Sequence, residues 1–213
     1  VTGGVTGTQG DGVDITGTLN SVAATGAITG DPGVIIAGNQ NNVSGASISA
    51  TNDAVAIGGD QNNVSSAGGI TSANGLGVNV TGNSNIISAG GTIDANNESD
   101  AVALNGNSNI VNADRIEGEG DAVVINGGGN IVTVTNAIVG NTNGSSGDGV
   151  RISNGTNNQV SANGISAGPS STAIDINTDS NTVDAGTGAI TGGTGVDIDG
   201  DQNNVSGASV NGT

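Results

Sequence analysis

The chain of 213 residues has 19 acidic and two basic side chains, a formal net charge of −17, and no Phe, Tyr, Trp, Cys, Met, His or Lys. Without His, Cys, Lys or Tyr, acid–base and nucleophilic catalysis would depend on carboxylates, hydroxyls and two arginines, and the usual zinc, iron–sulfur and haem sites lack ligands. The negative charge repels nucleic-acid phosphates, and no apolar run approaches the roughly 18 residues of a membrane-spanning helix, so neither nucleic-acid binding nor membrane insertion is expected.

The chain is built from one repeated block, and residues 1–10 are predicted to form a partial N-terminal coil, because residues 1–9 resemble residues 205–213 at the other end. From residue 11 to residue 213, a block of the form V-x-I-x-G-x-x-N-x-V recurs nine times at spacings of 21 to 27 residues. A disordered polar linker would not keep these positions in register through nine copies, so the periodicity predicts a folded repeat protein that forms one domain.

Each copy predicts three short strands. The first strand has two inward-facing apolar residues separated by one position, and in the nine copies it begins at Val13, Val34, Val55, Val78, Val102, Val123, Val150, Ile174 and Val196. The second carries Val22, Val43, Val64, Ile87, Val111, Val132, Val160, Val183 and Val205. The third carries Ile28, Ile48, Ile70, Ile93, Ile116, Ile138, Ile165, Ile190 and Val210. An apolar spacing of two, with so much Gly, Asn, Thr and Val, excludes helical repeats.

One polar position is the same in all nine copies, two residues before the apolar residue of the second strand. It is occupied by Asn20, Asn41, Asn62, Asn85, Asn109, Asn130, Asn158, Asn181 and Asn203. A buried amide stacked on its equivalent one coil away can donate and accept hydrogen bonds along the column and bond the turn backbone. The column therefore predicts an internal Asn ladder that fixes the register of the coils, and a ligand site is the alternative role of the same amides.

The G-x-x-N-x-V segments, as at residues 38–43 and 106–111, resemble those of right-handed parallel β-helix proteins. That group includes autotransporter passengers, filamentous-haemagglutinin-like adhesins and β-helical polysaccharide lyases. The resemblance covers residues 11–213 and implies an all-β fold, a right-handed parallel β-helix (solenoid) of about nine coils with three short strands per coil. At roughly 4.8 Å per coil, nine coils would form a rod about 43 Å long.

The two ends of the array are predicted to be uncapped, because the first and last copies show none of the atypical residues that usually close a solenoid. Two interpretations follow. In the first, the chain is a segment of a longer passenger and its neighbours are further repeats. In the second, it is a subunit whose ends stack head to tail into a homopolymer, which is the open contact that generates fibres.

Acidic side chains form two notable groups, one at the turns before first strands and one in the last two coils. One group precedes the first strand of its coil by two residues, where turn formation explains an acidic side chain, and comprises Asp11, Asp53, Asp100, Asp121 and Asp148.

In the last two coils, Asp175 is predicted to stack near Asp197 and Asp179 near Asp201, and Arg151 to pair with Asp175. Stacked like charges are unfavourable unless they are solvated or bridged by a cation. These oxygen ligands would suit Ca²⁺, so the candidate metal site comprises Asp175, Asp179, Asp197, Asp199 and Asp201, and a solvated acidic face is the alternative.

These features predict a non-catalytic structural β-solenoid of an extracellular fibre or surface adhesin, with no cofactor other than Ca²⁺. The alternative is a segment of a larger adhesin that binds glycans or calcium. A polysaccharide-active β-helix is the enzymatic alternative. For a lyase only Arg115 and Arg151 could serve as base, while Asp197 and Asp199 could form the carboxylate pair of a hydrolase.

Overall fold

The computed structural model describes residues 1–141, 144 and 146–213. Within these residues the chain forms 28 short strands, arranged in three parallel sheets. Every strand pairs with its equivalents in the adjoining coils, so that the chain passes through each sheet once per turn. This part of the chain contains no helix of sufficient length and apolarity to cross a bilayer. The predicted parallel solenoid of about nine turns, with three strands per coil, is confirmed.

The sheets are named here by the order of their strands within a coil. The first-strand sheet contains β2 (Val13–Ile15), β5 (Val34–Ile36), β8 (Val55–Ile57), β11 (Val78–Val80), β14 (Val102–Leu104), β17 (Val123–Ile125), β20 (Val150–Ile152), β23 (Thr172–Ile176) and β26 (Thr194–Ile198). The second-strand sheet contains β3 (Ser21–Ala23), β6 (Asn42–Gly45), β9 (Asn63–Ser66), β12 (Ile86–Ala89), β15 (Ile110–Ala113), β18 (Ile131–Val134), β21 (Gln159–Ser161), β24 (Thr182–Asp184) and β27 (Asn204–Ser206). The third-strand sheet contains β1 (Val5–Thr6), β4 (Ile28–Gly30), β7 (Ile48–Ala50), β10 (Ile70–Ser72), β13 (Thr92–Ala95), β16 (Arg115–Gly118), β19 (Ile138–Val139), β22 (Ile165–Ser166), β25 (Ala189–Gly192) and β28 (Ser209–Gly212).

The interior consists of columns of like apolar residues. Val55, for example, lies in register between Val34 and Val78. From the second coil to the eighth, the predicted apolar residues of all three strands are at most 2 % exposed. Small β-branched side chains suit this arrangement, because each must pack against a copy of itself in the next coil as well as across the coil.

The turn between the first and second strands has a backbone feature that the sequence does not reveal. In every coil, the residue before the ladder asparagine has a positive φ of 56° to 67°. A positive φ costs a non-glycine residue roughly 1 kcal/mol or more. Eight of the nine residues are nevertheless not glycine: Leu19, Gln40, Gln61, Ser84, Ser108, Asn157, Ser180 and Gln202, with Gly129 as the ninth. The surrounding structure must therefore impose this conformation.

The same turn begins with a glycine in eight of the nine coils, and here the requirement is steric. A Cβ on Gly38, Gly59, Gly82, Gly106 or Gly127 would collide with the carbonyl oxygen of the equivalent glycine one coil earlier. The exception is Thr178 in the eighth coil, whose hydroxyl donates to the Gly155 carbonyl at 2.7 Å. Glycine is therefore required at most of these positions so that successive turns can approach each other.

Adjacent glycines of the third coil test this requirement. We expect Gly59→Ala to lower the free energy of unfolding by about 1–3 kcal/mol, because its new methyl group would meet backbone that cannot move aside. Gly58→Ala is the matched control, since the nearest atom to its new Cβ would lie 3.9 Å away. It should leave the stability unchanged or raise it by about 0.4–1 kcal/mol. Equal effects in denaturant titrations would contradict the steric argument.

Candidate functional site

The predicted Asn ladder is confirmed as a continuous buried column. Its seven inner members are at most 1 % exposed: Asn41, Asn62, Asn85, Asn109, Asn130, Asn158 and Asn181. Asn20 is exposed and Asn203 is partly buried. These two differ from the rest because each has a neighbouring coil on one side only.

Each inner amide of the column accepts a hydrogen bond from the preceding coil. Asn109 accepts a hydrogen bond at Oδ1 from the backbone N–H of Asn85 at 2.9 Å and donates from Nδ2 to the carbonyl oxygen of Gly82 at 3.0 Å. Gly82 and Asn85 are the first and last residues of one turn, and in an ordinary β-turn such a pair bond to each other. The Asn109 amide is thus inserted between the two ends of the turn and closes it.

One of these two bonds repeats at every step of the rod with the same direction. The bond from each asparagine N–H to the Oδ1 of the next ladder asparagine is present at all eight steps, at 2.8–3.0 Å. Asn41 and Asn130 also donate to the turn glycines Gly17 and Gly106 of the coils before them, at 2.9 and 3.0 Å. Sequence reasoning predicted bonds along the column and to the turn backbone, but it did not reveal this polarity.

The acidic residues before the first strands also bond across coils. The backbone N–H of the next coil donates to Asp53, Asp100, Asp121 and Asp148, at 2.6–2.9 Å. Burial raises the pKa of Asp100 and Asp148, and the nearby charge of Asp121 adds to the rise while these backbone donors oppose it. The carboxylates therefore have a structural role, as expected for turn residues, but their partners lie one coil ahead.

The predicted pairing of Arg151 with Asp175 is wrong. The Arg151 Nε donates to Asp121 Oδ2 at 2.6 Å, and its terminal nitrogen contacts the same oxygen. Asp121 is 7 % exposed, so its carboxylate has lost most of its hydration and gains most from a cation. Asp175 is less buried and instead accepts from the side-chain amide of Asn177 at 3.1 and 3.2 Å.

The acids of the last two coils are stacked in the expected register. Asp175 and Asp197 are direct partners in the first-strand sheet, and Asp179 Oδ1 accepts from the backbone N–H of Asp201 at 2.7 Å. Burial raises the pKa of Asp175, Asn177 opposes the rise, and the charge of Asp197 adds to it. In the described residues, no three acidic side chains lie close enough together to hold a metal ion. Calcium binding by Asp175, Asp179, Asp197, Asp199 and Asp201 stays a prediction.

Comparison with known proteins offers no relative from which a function could be transferred. No protein-family model matches the chain, and neither a curated protein nor a solved structure matches it. A function for this chain therefore has to be inferred from its own residues and geometry.

The inserted amide predicts a large effect for one substitution. Asn109→Ala should lower the free energy of unfolding by about 3–5 kcal/mol, because it leaves the buried Asn85 N–H and Gly82 carbonyl without their partner, and each such loss costs about 1–3 kcal/mol. Asn107→Ala is the matched control. Asn107 lies in the same turn, but its side chain is exposed and bonds Asn83 and Gly128 at the surface. Similar losses in the two variants would contradict turn closure by the ladder.

The stacked acids predict a response to calcium and to charge removal. Asp197→Asn removes a like charge opposite Asp175 and should raise the Tm measured in chelator by about 1–4 °C. If calcium bridges the two acids, it should raise the Tm of the unsubstituted chain and have less effect on this variant. Asp14→Asn is the control, because Asp14 has the uncharged Ile35 as its partner in the same sheet. A Tm of the unsubstituted chain that is equal in calcium and in chelator would contradict the calcium site.

Proposed function

We propose that the chain is a non-catalytic structural rod, a β-solenoid segment of an extracellular fibre or surface adhesin. The observation that carries this proposal is turn closure by an amide of the following coil, which accepts from the last residue of the turn at all eight steps and also donates to its first residue at six of them. Because of that closure, adjoining coils depend on each other, and the array behaves as a continuous element rather than as independent modules. Such a rod would be an adhesin repeat of the autotransporter-passenger or filamentous-haemagglutinin type.

The direction of the hydrogen bonds suits a mechanical role. Strands run across the rod and their hydrogen bonds run along it, so tension along the axis is shared by three strands and one ladder amide at each interface between coils. The buried apolar columns between the sheets resist bending and shear, because their side chains are already close-packed. Length can then be set by the number of coils, at roughly 4.8 Å each.

The surface chemistry is consistent with exposure outside a cell. The net charge of −17 opposes lateral association of rods unless cations bridge them. Trypsin has only two basic residues to recognise, and both are engaged. Arg115 donates to Glu117 at 2.5 Å, and Arg151 is bound to Asp121. Those ion pairs also weaken the case for either arginine as the base of a polysaccharide lyase.

The alternative function is that of a calcium- or glycan-binding segment within a larger adhesin. The observation that favours it is the register of Asp175 on Asp197, which places two carboxylates on one outer face. A comparison of the Tm in calcium and in chelator, for the unsubstituted chain and for Asp197→Asn, tests the calcium part of this alternative. Binding of the purified chain to immobilised surface glycans would extend it.

Immunogold microscopy of the source cells tests the proposed function. Antibodies raised against the folded chain should label intact, unpermeabilised cells at their surface or on fibres, and brief trypsin treatment should leave the label in place. Label confined to the cytoplasm of sectioned cells would contradict the extracellular role. Release of products from a panel of polysaccharides by the purified chain would contradict the non-catalytic role.

A further inference from the structure

One turn in the middle of the rod contains an extra residue. Between the end of the first strand and the first residue of the turn, eight coils have one residue, whereas the seventh coil has two, Ser153 and Asn154. Ser153 takes the ordinary place, because its N–H donates to the Ile125 carbonyl one coil earlier at 3.0 Å. Asn126 makes the same bond to Leu104 at 2.8 Å. Asn154 is therefore the inserted residue, and neither adjoining coil has an equivalent of it.

The inserted residue is not held by the rest of the rod. Asn154 is exposed, and neither its N–H nor its side chain bonds any described residue. The N–H of Gly155 is also without a partner in this part of the chain. Gly155 has a φ of 85°, and no other glycine that begins one of these turns has a positive φ. Its carbonyl nevertheless accepts from the Thr178 hydroxyl at 2.7 Å, so the turn keeps its place in the stack beyond the insertion.

An asparagine that is followed by glycine can lose ammonia without an enzyme. The glycine nitrogen attacks the side-chain Cγ, so that a new C–N bond forms while the bond from Cγ to Nδ2 breaks. The leaving ammonia takes the proton of the attacking nitrogen. Water then opens the cyclic succinimide at either carbonyl and gives aspartate or isoaspartate. Glycine favours the attack because no Cβ shields its nitrogen, and the reaction needs a backbone that is free to bring Cγ to that nitrogen.

Hydrogen bonding separates Asn154 from the other Asn–Gly pairs, of which Asn143 lies outside the described residues. In each remaining pair, either the glycine N–H or the asparagine side chain forms a hydrogen bond, and these pairs begin at Asn74, Asn105, Asn126, Asn163 and Asn211. Asn126 is the closest comparison, because it precedes Gly127 at the equivalent turn one coil earlier and has no inserted residue beside it. Its Nδ2 donates to Asn105 at 2.9 Å. Among the described pairs, only Asn154–Gly155 has both groups unbonded.

We propose that Asn154 is a site of spontaneous deamidation, at which the folded rod converts one neutral amide into a carboxylate. The inserted residue, its unbonded side chain and the unbonded N–H of Gly155 carry this inference. The isoaspartyl product lengthens the main chain by one carbon at Asn154, where no hydrogen bond to an adjoining coil has to break. The change adds one negative charge to the outer surface of a chain whose net charge is −17. The inference does not depend on the proposed structural role.

Mass spectrometry of the aged protein tests the site. The purified 213-residue chain is incubated in its folded state at mildly alkaline pH, where the glycine N–H loses its proton more readily. It is then unfolded and cleaved with trypsin after Arg115 and Arg151, which places Asn126 and Asn154 in different fragments. Tandem spectra of the two fragments give the extent of deamidation at each asparagine and the share of isoaspartate in the product.

We expect Asn154 to deamidate about tenfold faster than Asn126 in the folded chain, because Asn126 must first break its bonds to Leu104 and Asn105. Isoaspartate should be among the products, since only the succinimide opens to that isomer. In denaturant the two sites should react at similar rates, because each precedes a glycine. Equal rates at the two sites in the folded chain, or aspartate without isoaspartate, would overturn the proposal.

Deletion of Ser153 tests the role of the insertion. This variant retains Asn154 and Gly155 but gives the turn the length that it has in the other eight coils. Asn154 should then take the place that Asn126 has one coil earlier and react about tenfold more slowly than in the unaltered chain. A cooperative thermal transition shows that the variant folds, and an unchanged rate in the folded variant would overturn the role of the inserted residue. The comparison of Asn154 with Asn126 in the unaltered chain does not depend on this variant.

Discussion

The interaction on which the rest of the structure depends is an asparagine side chain that closes a turn belonging to another coil. The Asn109 amide lies between the Gly82 carbonyl and the Asn85 N–H, so that the turn has no direct bond between its ends. This insertion explains why Ser84, the residue before Asn85, holds a positive φ without being glycine. The bonds to the next coil compensate for the local strain. A coil taken alone would therefore lack both its apolar neighbours and a closed turn.

The coil, its three strands and the ladder could be predicted because each has a simple physical cause. Burial of one face of a strand imposes the two-residue spacing of Val55 and Ile57. A polar residue repeated at a buried position, such as Asn109, must form hydrogen bonds with the equivalent residues of the adjoining coils. The left-handed residues could not be predicted, since Leu19, Gln40 and Ser84 share no chemistry and owe their conformation to a different coil. The ion-pair partner of Arg151 could not be predicted from the sequence either, because it depends on how much hydration each carboxylate loses on folding.

Parallel stacking places like residues on like, and this has opposite consequences for apolar and acidic side chains. Isoleucine and valine gain a contact of their own shape at every coil, so aromatic residues are not needed. Acids meet their own charge. Where a backbone N–H of the next coil intervenes, as at Asp100 and Asp121, the column is stabilised by hydrogen bonds. Where the side chains face outward, as at Asp175 and Asp197, repulsion has no such compensation from the backbone.

Polarity follows from the same amide. The backbone N–H of each ladder asparagine donates to the Oδ1 of the next one, and this bond runs in the same direction at all eight steps. A turn therefore receives its side-chain partner only from the coil that follows it, never from the coil before it. The asparagine that holds one coil on the next thereby also gives the described rod a direction.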